Sequence, residues 1–360
     1  MKITFCADVS PVYCSDLFKQ NAKEELFNDV IPVFAKSDRV IVNLECALTE
    51  SDGAIKKIGP NLKCTPKVAQ VLKEIGVTDC GLSNNHIFDY GVQGVLDTLK
   101  AVNEAGLNHT GFGESYQDSR KNLIVEQDGK KIAVIAVCEH EYCYALENRM
   151  GARPFLPYDT IMDIRKAKEE NDFVVVMYHG GKEQSVYPSP RLRRQSQALV
   201  EHGADVVLCQ HSHCVGCYEE FQGGHILYGQ GNFHFVYPTK HPHWQNGLMV
   251  HAFFDDKVTL EFDPVVVKGN GIAMADEQQK KEILDGLWER SDNLHNGKWL
   301  EGWREYCISM GWYHEAIKKA YADGATEADN ELFAHYLVCE AHHDVWEELC
   351  KLSWETRETP

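Results

Sequence analysis

Apolar runs that stop abruptly at a polar residue recur through the first two thirds of the chain. KITFCADV, RVIVNLEC, VTDCGLS, KIAVIAVC, DFVVVMYHG and ADVVLCQH are rich in Val and Ile and nearly uninterrupted, as expected of strands covered on both faces. Between them, VQGVLDTLKAVNEAG and RRQSQALVEHG space their apolar residues at helical intervals and close on glycine, a common helix ending. This alternation predicts an α/β arrangement up to about residue 235. Two further runs, GLMVHAFFDD and KVTLEFDPVVVK, predict a hairpin turning at Asp255–Asp256. From about Ala275 the β-branched runs cease, Glu, Lys, Ala, Trp and His take over, and Gly297, Gly311 and Gly324 break the pattern, which predicts a helical appendage. The expected division is an α/β domain over 1–270 and a C-terminal helical region over 271–360.

The polar residues that end the runs are of one kind. Asp8, Glu45, Asn85 with His86, His179, and His211 with His213 all fall where a strand should give way to a loop. In open α/β sheets that edge is where ligands bind. Singly, each has an ordinary explanation: Asp8 can cap a turn, and a histidine after a strand is most often a hydrogen-bonded residue. Together, one aspartate, one glutamate, one asparagine and four histidines form a donor mixture suited to divalent transition ions such as Mn, Fe or Zn. Two such ions need a bridging ligand, for which Glu45 is the candidate, and one histidine is best kept unligated as a proton donor to a leaving group.

Composition narrows the function classes. Hydrophobic residues are 44% and charged residues 25% of the chain, the profile of an ordinary globular protein. A net charge of −18 argues against a nucleic-acid-binding protein with a broad basic face. A small anionic substrate would need a local positive focus, which bound metal ions supply. The start, MKITFCADVS, is too short an apolar run for a signal peptide or a membrane span, so a cytoplasmic location is expected. The 13 cysteines are odd in number and scattered through apparent strands and helices, which fits packed thiols rather than a disulfide framework. Cys214 and Cys217 form a lone C-x-x-C pair with no second pair to complete a structural zinc site. Glu139, His140 and Glu141 either line a pocket or form a polar loop. KHPHWQ at 240–245 is either a substrate wall or a packed turn, and His342 and His343 beside Trp346 fit helix packing. GFGES and GQGNF lack the spacing of a nucleotide-binding loop.

The same residues resemble a known family. ADV at 7–9, NLECALT at 43–49, SNNHIFDYGVQGVLDTLKAVNEAGLNHTGFG at 83–113, DGKKIAVIAV at 128–137, MYHGGKE at 177–183, GADVVLCQHSH at 203–213 and ILYGQGNFHF at 226–235 resemble, in order, the capsule-synthesis CapA (poly-gamma-glutamate biosynthesis) family of the calcineurin-like metallophosphoesterase superfamily. The resemblance covers roughly residues 1–270. It implies a four-layer αββα metallophosphatase-like sandwich with two metal ions at the strand ends. By position, Asp8 would bind one metal, Glu45 would bridge, Asn85 would hold the second, and His179, His211 and His213 would complete the set. His86 would be the proton donor, with Asp89 orienting it.

Three positions depart from the pattern. Ser10 stands where the superfamily's Asp-x-His motif has histidine, Ala7 stands where glycine is usual, and Lys63 lies in a segment where many members carry arginine. Lys63 is the candidate substrate-binding cation, acting as a point charge. The expected activity is hydrolysis of a phosphoester or a poly-gamma-glutamate-type amide. The alternative is a non-catalytic accessory protein that binds an acidic polymer. The expected partners are a small anionic or polyglutamate-like substrate, with no nucleic acid and no membrane span, and the tail is a candidate for homo-oligomer contacts.

Overall fold

A computed structural model describes residues 1–139 and 142–355, with side chains to Lys351. The expected strands and helices form where the pattern places them. Lys2–Val9, Arg39–Leu44, Asp79–Gly81 and Asn108–Thr110 run parallel in one sheet. The hairpin Asn246–Phe254 and Val258–Lys268 joins it antiparallel beside Lys2–Val9. The short strand Gly271–Met274 extends the same sheet past residue 270. A second sheet carries Lys130–Cys138, Phe173–His179, Val206–Gln210 and Gly224–Leu227 in parallel, with Leu123–Gln127 and Tyr218–Phe221 antiparallel at its edges.

Period-two alternation sorts these strands into layers. Ile3, Phe5 and Ile41 from the first sheet meet Ile132, Val134, Val175 and Leu208 from the second in the central core. Their neighbours Val40, Val42 and Leu44 face outward against Val68, Leu72, Val95 and Val102, which lie on the helices Lys67–Glu74 and Gly91–Glu104. On the other side Ile135, Val174 and Val207 pack on Ile164 and Leu199 of the helices Pro157–Glu170 and Pro190–Glu201. The result is helix, sheet, sheet, helix, because the central parallel strands are buried on both faces and each face needs cover.

The tail is helical from Glu277 to Glu355, and Gly297 ends the first helix in a left-handed conformation. That helix, Glu277–Asn296, buries Leu287 in the central core and Leu294 in the outer layer. The later helices build their own cluster around Trp303, Cys307, Tyr313, Tyr336 and Val345. The thirteen cysteines are free thiols and all but Cys350 are buried. No helix among the described residues is long and apolar enough to cross a membrane.

One core residue makes stability depend on pH. His234 is fully buried, with its ring 5.2–5.5 Å from those of Phe27 and Phe18, and burial holds its pKa down at about 4. Below pH 6.5 the unfolded chain takes up a proton that the folded chain refuses, so this contribution is present above the unfolded pKa and lost as pH falls. We predict that wild type loses about 2 kcal/mol between neutrality and about pH 5 through this residue. His234→Phe should remove that part of the loss in urea denaturation at the two pH values. An unchanged loss in the variant would show that acid sensitivity arises elsewhere.

Candidate metal centre

The parallel strands deliver their polar ends to one edge shared by both sheets. Asp8 sits near the end of Lys2–Val9, just past a register shift against Arg39–Leu44 in which Ala7 is the extra residue. Such a bulge re-aims the following side chain. Asp8 is fully buried. Its Oδ1 accepts from Asn43 Nδ2 at 2.7 Å and its Oδ2 from the backbone N–H of His211 at 3.1 Å. Glu45 follows the next strand, and His179 is the last residue of Phe173–His179. His179 Nε2 lies 2.9 Å from Asn85 Oδ1 and 3.3 Å from Glu45 Oε1. His213 Nδ1 lies 2.9 Å from Asn232 Oδ1 and 3.4 Å from Asp8 Oδ2.

Among the described residues, three groups of donors result. Asp8, Glu45 and His213 form one, Glu45, His179 and His211 a second, and Glu183, His211 and His213 a third, each with its ligand atoms within 4.8 Å of one another. Two neighbouring groups thus share Glu45, and the imidazole, carboxylate and carboxamide donors fit divalent transition ions. The backbone is bent to make this set: His211 and His213 have φ of 84° and 54°, a left-handed conformation uncommon for residues other than glycine and one that clusters at functional sites.

The charges interact strongly. Burial opposes the charged form of His213, but the carboxylates of Glu45 and Asp8 outweigh it and raise its pKa. Burial likewise opposes the charged form of Asp8, and His213, His179 and Asn43 overcome it and hold the carboxyl low. The metal-free cluster is therefore an ion-paired one at neutral pH.

His86 and Asp89 form a separate unit on the turn after Asp79–Gly81. His86 Nδ1 lies 2.6 Å from Asp89 Oδ2, which also accepts the N–H of Leu62 at 2.7 Å. Lys57 Nζ donates to Asp89 Oδ1 at 2.5 Å and lies 3.3 Å from His86 Nδ1. Lys63 is not brought to this cluster. Its ammonium donates to the carbonyl of Ser51 at 2.6 Å and to Asp52 Oδ1 at 2.9 Å, and it lies over the ring of Tyr90. The lysine that reaches the site is Lys57, whose side chain is only 2% exposed.

Several residues at the site carried little signal in the sequence. Asn43 and Asn232 hold Asp8 and His213, and Glu183 stands near two histidines although only its place in MYHGGKE marked it. Trp244 of KHPHWQ lies with its ring 4.3 Å from that of His213 and donates Nε1–H to the carbonyl of Phe235 at 3.0 Å, so this loop is a wall of the site. Glu139 is buried and accepts from the N–H of Gly181 and from the hydroxyl of Tyr178. Gly181 has φ of 89°, which glycine adopts without cost. His140 and Glu141 lie outside the described residues.

Comparison with known proteins gives relatives of this chain. The model of a family described as bacterial capsule synthesis protein PGA_cap matches residues 2–237. Capsule biosynthesis protein CapA of Bacillus anthracis is 30% identical over 232 residues, 62% of this chain and 56% of that protein. PGA biosynthesis protein CapA of Bacillus subtilis (strain 168) is 32% identical over 229 residues, 62% of this chain and 60% of that protein. The chain thus spans somewhat over half the length of these relatives. A solved structure from Staphylococcus aureus, described as a candidate 5'-nucleotidase in complex with alpha-ketoglutarate, is 16% identical with a TM-score of 0.47 and covers 79% of this chain and 58% of that one.

Proposed function

This chain belongs to the bacterial capsule synthesis family PGA_cap, and from that premise we propose that it is a metal-dependent hydrolase acting on a phosphoester or a poly-gamma-glutamate-type amide. The observation that carries the reading is the sharing of Glu45 by two adjacent donor groups. Asp8, Glu45 and His213 would hold one divalent ion, and Glu45, His179 and His211 with Asn85 a second, with Mn, Fe or Zn the best match to these donors. When bound, such ions supply Lewis acidity and activate water at neutral pH.

The chain's own residues do the rest. Asn43 and the backbone N–H of His211 fix the Asp8 carboxylate, so the donor set needs little rearrangement. His213 has to release its proton before its ring nitrogens can act as donors, so acidification opposes ion binding. His86, with Nδ1–H donating to Asp89, presents Nε2 as the atom that passes a proton to a leaving group. The unit Lys57–Asp89–Leu62 keeps that ring in one orientation.

Full-length protein loaded in turn with Mn, Fe, Zn, Co or Ni is expected to turn over at least one member of a phosphoester and gamma-glutamyl substrate panel. Absence of turnover with every ion and both classes would overturn the enzyme reading. Ser10 favours a second reading, because it is fully buried two residues after Asp8 and supplies a hydroxyl where the resemblance leads one to expect an imidazole. A non-catalytic accessory protein would bind a polyglutamate fragment without cutting it, and that binding would survive replacement of His86.

A further inference from the structure

The C-terminal helices reach the metal centre. His335 and Tyr336, near the end of Glu327–Val338, and His342, in the first turn of Glu340–Glu355, line a cavity of about 190 Å³ together with Asn85, His86 and Glu183. The last lining residue before the tail is Glu183 and the first within it is His335, and the matched family segment ends at residue 237. The tail therefore adds a wall that the family segment does not contain.

That wall is held in place. The ring of His335 stacks on Tyr142 at 5.6 Å, with Nδ1 3.4 Å from the Tyr142 hydroxyl. His342 Nδ1 is hydrogen-bonded to the Tyr313 hydroxyl, and Tyr336 stacks on Tyr313 with centroids 4.5 Å apart. The Tyr306 hydroxyl donates to the backbone carbonyl of Glu183 at 2.7 Å, tying the opposite wall to the tail as well.

Size and lining decide what fits. A cavity of about 190 Å³ is smaller than the roughly 300–1,000 Å³ of sites for drug-sized ligands, so it takes a single small unit. Its lining offers an amide, three imidazoles and a phenol against one carboxylate, Glu183, while the ammonium of Lys57 is paired with the buried Asp89. A second cavity of about 240 Å³ shares Lys57, Ile58 and His335 with the first and continues toward the exposed ion pair of Lys56 with Glu331. The pair makes an inner chamber bounded by the buried Asn85 and His86 with an outer vestibule beside it, room for two consecutive units of a chain.

We propose that the C-terminal helices complete the binding pocket, and that it takes the terminal unit of an anionic chain, bearing a carboxylate or a phosphate, with the adjoining unit in the vestibule. The claim rests on the hydrolase reading only for the bond that would be cut, since binding can be measured without turnover.

The test uses full-length, metal-loaded protein and calorimetry with three probes: inorganic phosphate, gamma-glutamyl-glutamate, and long poly-gamma-glutamate at an equal concentration of chain ends. Two variants perturb opposite walls: the pair His335→Gln, His342→Gln from the tail, and Ile58→Trp, which fills the junction of the two chambers from a surface loop. Each is expected to weaken binding of phosphate or the dipeptide at least tenfold with metal content unchanged, and which probe responds identifies the terminal group. The long polymer should bind no more tightly per chain end than the dipeptide. Unchanged binding in both variants, failure of wild type to bind either small probe, or affinity that rises with polymer length at equal ends would each overturn the proposal. Wild type without bound metal would instead count against the hydrolase reading, and the effect of the two variants on probe binding would still decide the pocket.

Discussion

His86→Asn is expected to lower kcat by about 10²–10⁴-fold, the range for removal of a general acid, while leaving metal content and KM close to wild type. The reasoning is geometric. His86 belongs to none of the three donor groups, so its loss should not disturb ion binding. Its Nδ1 is engaged by a fully buried Asp89 that is itself fixed by Leu62 and Lys57. On the proposed reading, a residue so oriented but outside the ligand set is the one to pass a proton to the leaving group. Asparagine keeps a side-chain N–H for Asp89 and removes only the ring atom that exchanges a proton. A variant with unchanged kcat would exclude His86 as the donor, and one that lost its metal would place His86 in the ligand set.

Asp344→Ala is expected to cost about 3 kcal/mol of stability and to loosen the tail selectively. Asp344 is buried on the last helix. It accepts from Arg191 Nε at 2.7 Å and Nη2 at 2.9 Å and from Ser189 Oγ at 2.5 Å. Arg191 donates in turn to Glu139 at 2.6 Å, and Glu139 accepts from Gly181, two residues past His179. Burial raises the pKa of Asp344 against the pull of Arg191, whereas at Glu139 the arginine and its companion donors overcome burial and lower it. Removing Asp344 leaves the half-buried Arg191 with part of its partners gone, the costly way to break such a network. Urea denaturation measures the loss, and hydrogen exchange should show protection falling in residues 327–351 before the sandwich. A change below about 0.5 kcal/mol, within the range of ordinary surface substitutions, would show that this network does not hold the tail.

The layered fold was legible because its signals are local and repeated. Strands apolar on both faces, helices closed by glycine and a hairpin at Asp255–Asp256 each follow from a short window of sequence. The convergence of Asp8, Glu45, Asn85, His179, His211 and His213 was legible too, since parallel strands share one edge and each run stopped at a donor. What escaped depended on contacts between distant segments. Lys57 and Lys63 look alike in sequence, and only the fold turns Lys57 toward His86 while Asp52 and Ser51 take Lys63. His342 read as a helix-packing residue, and it does pack on Tyr313, yet it also lines the cavity beside His86. The left-handed backbone at His211 and His213 leaves no compositional mark, because glycine, the usual indicator, is absent at both positions.

The central claim is a dinuclear centre joined through Glu45, and metal content per chain measures it most directly. Wild-type protein purified without chelator and analysed for its elements should carry close to two transition ions per chain. Glu45→Ala should lose both together, because the first donor group is reduced to two residues and the second is left with no carboxylate. A wild type that binds no ion even after loading, or a Glu45→Ala variant that keeps the wild-type complement, would contradict the account.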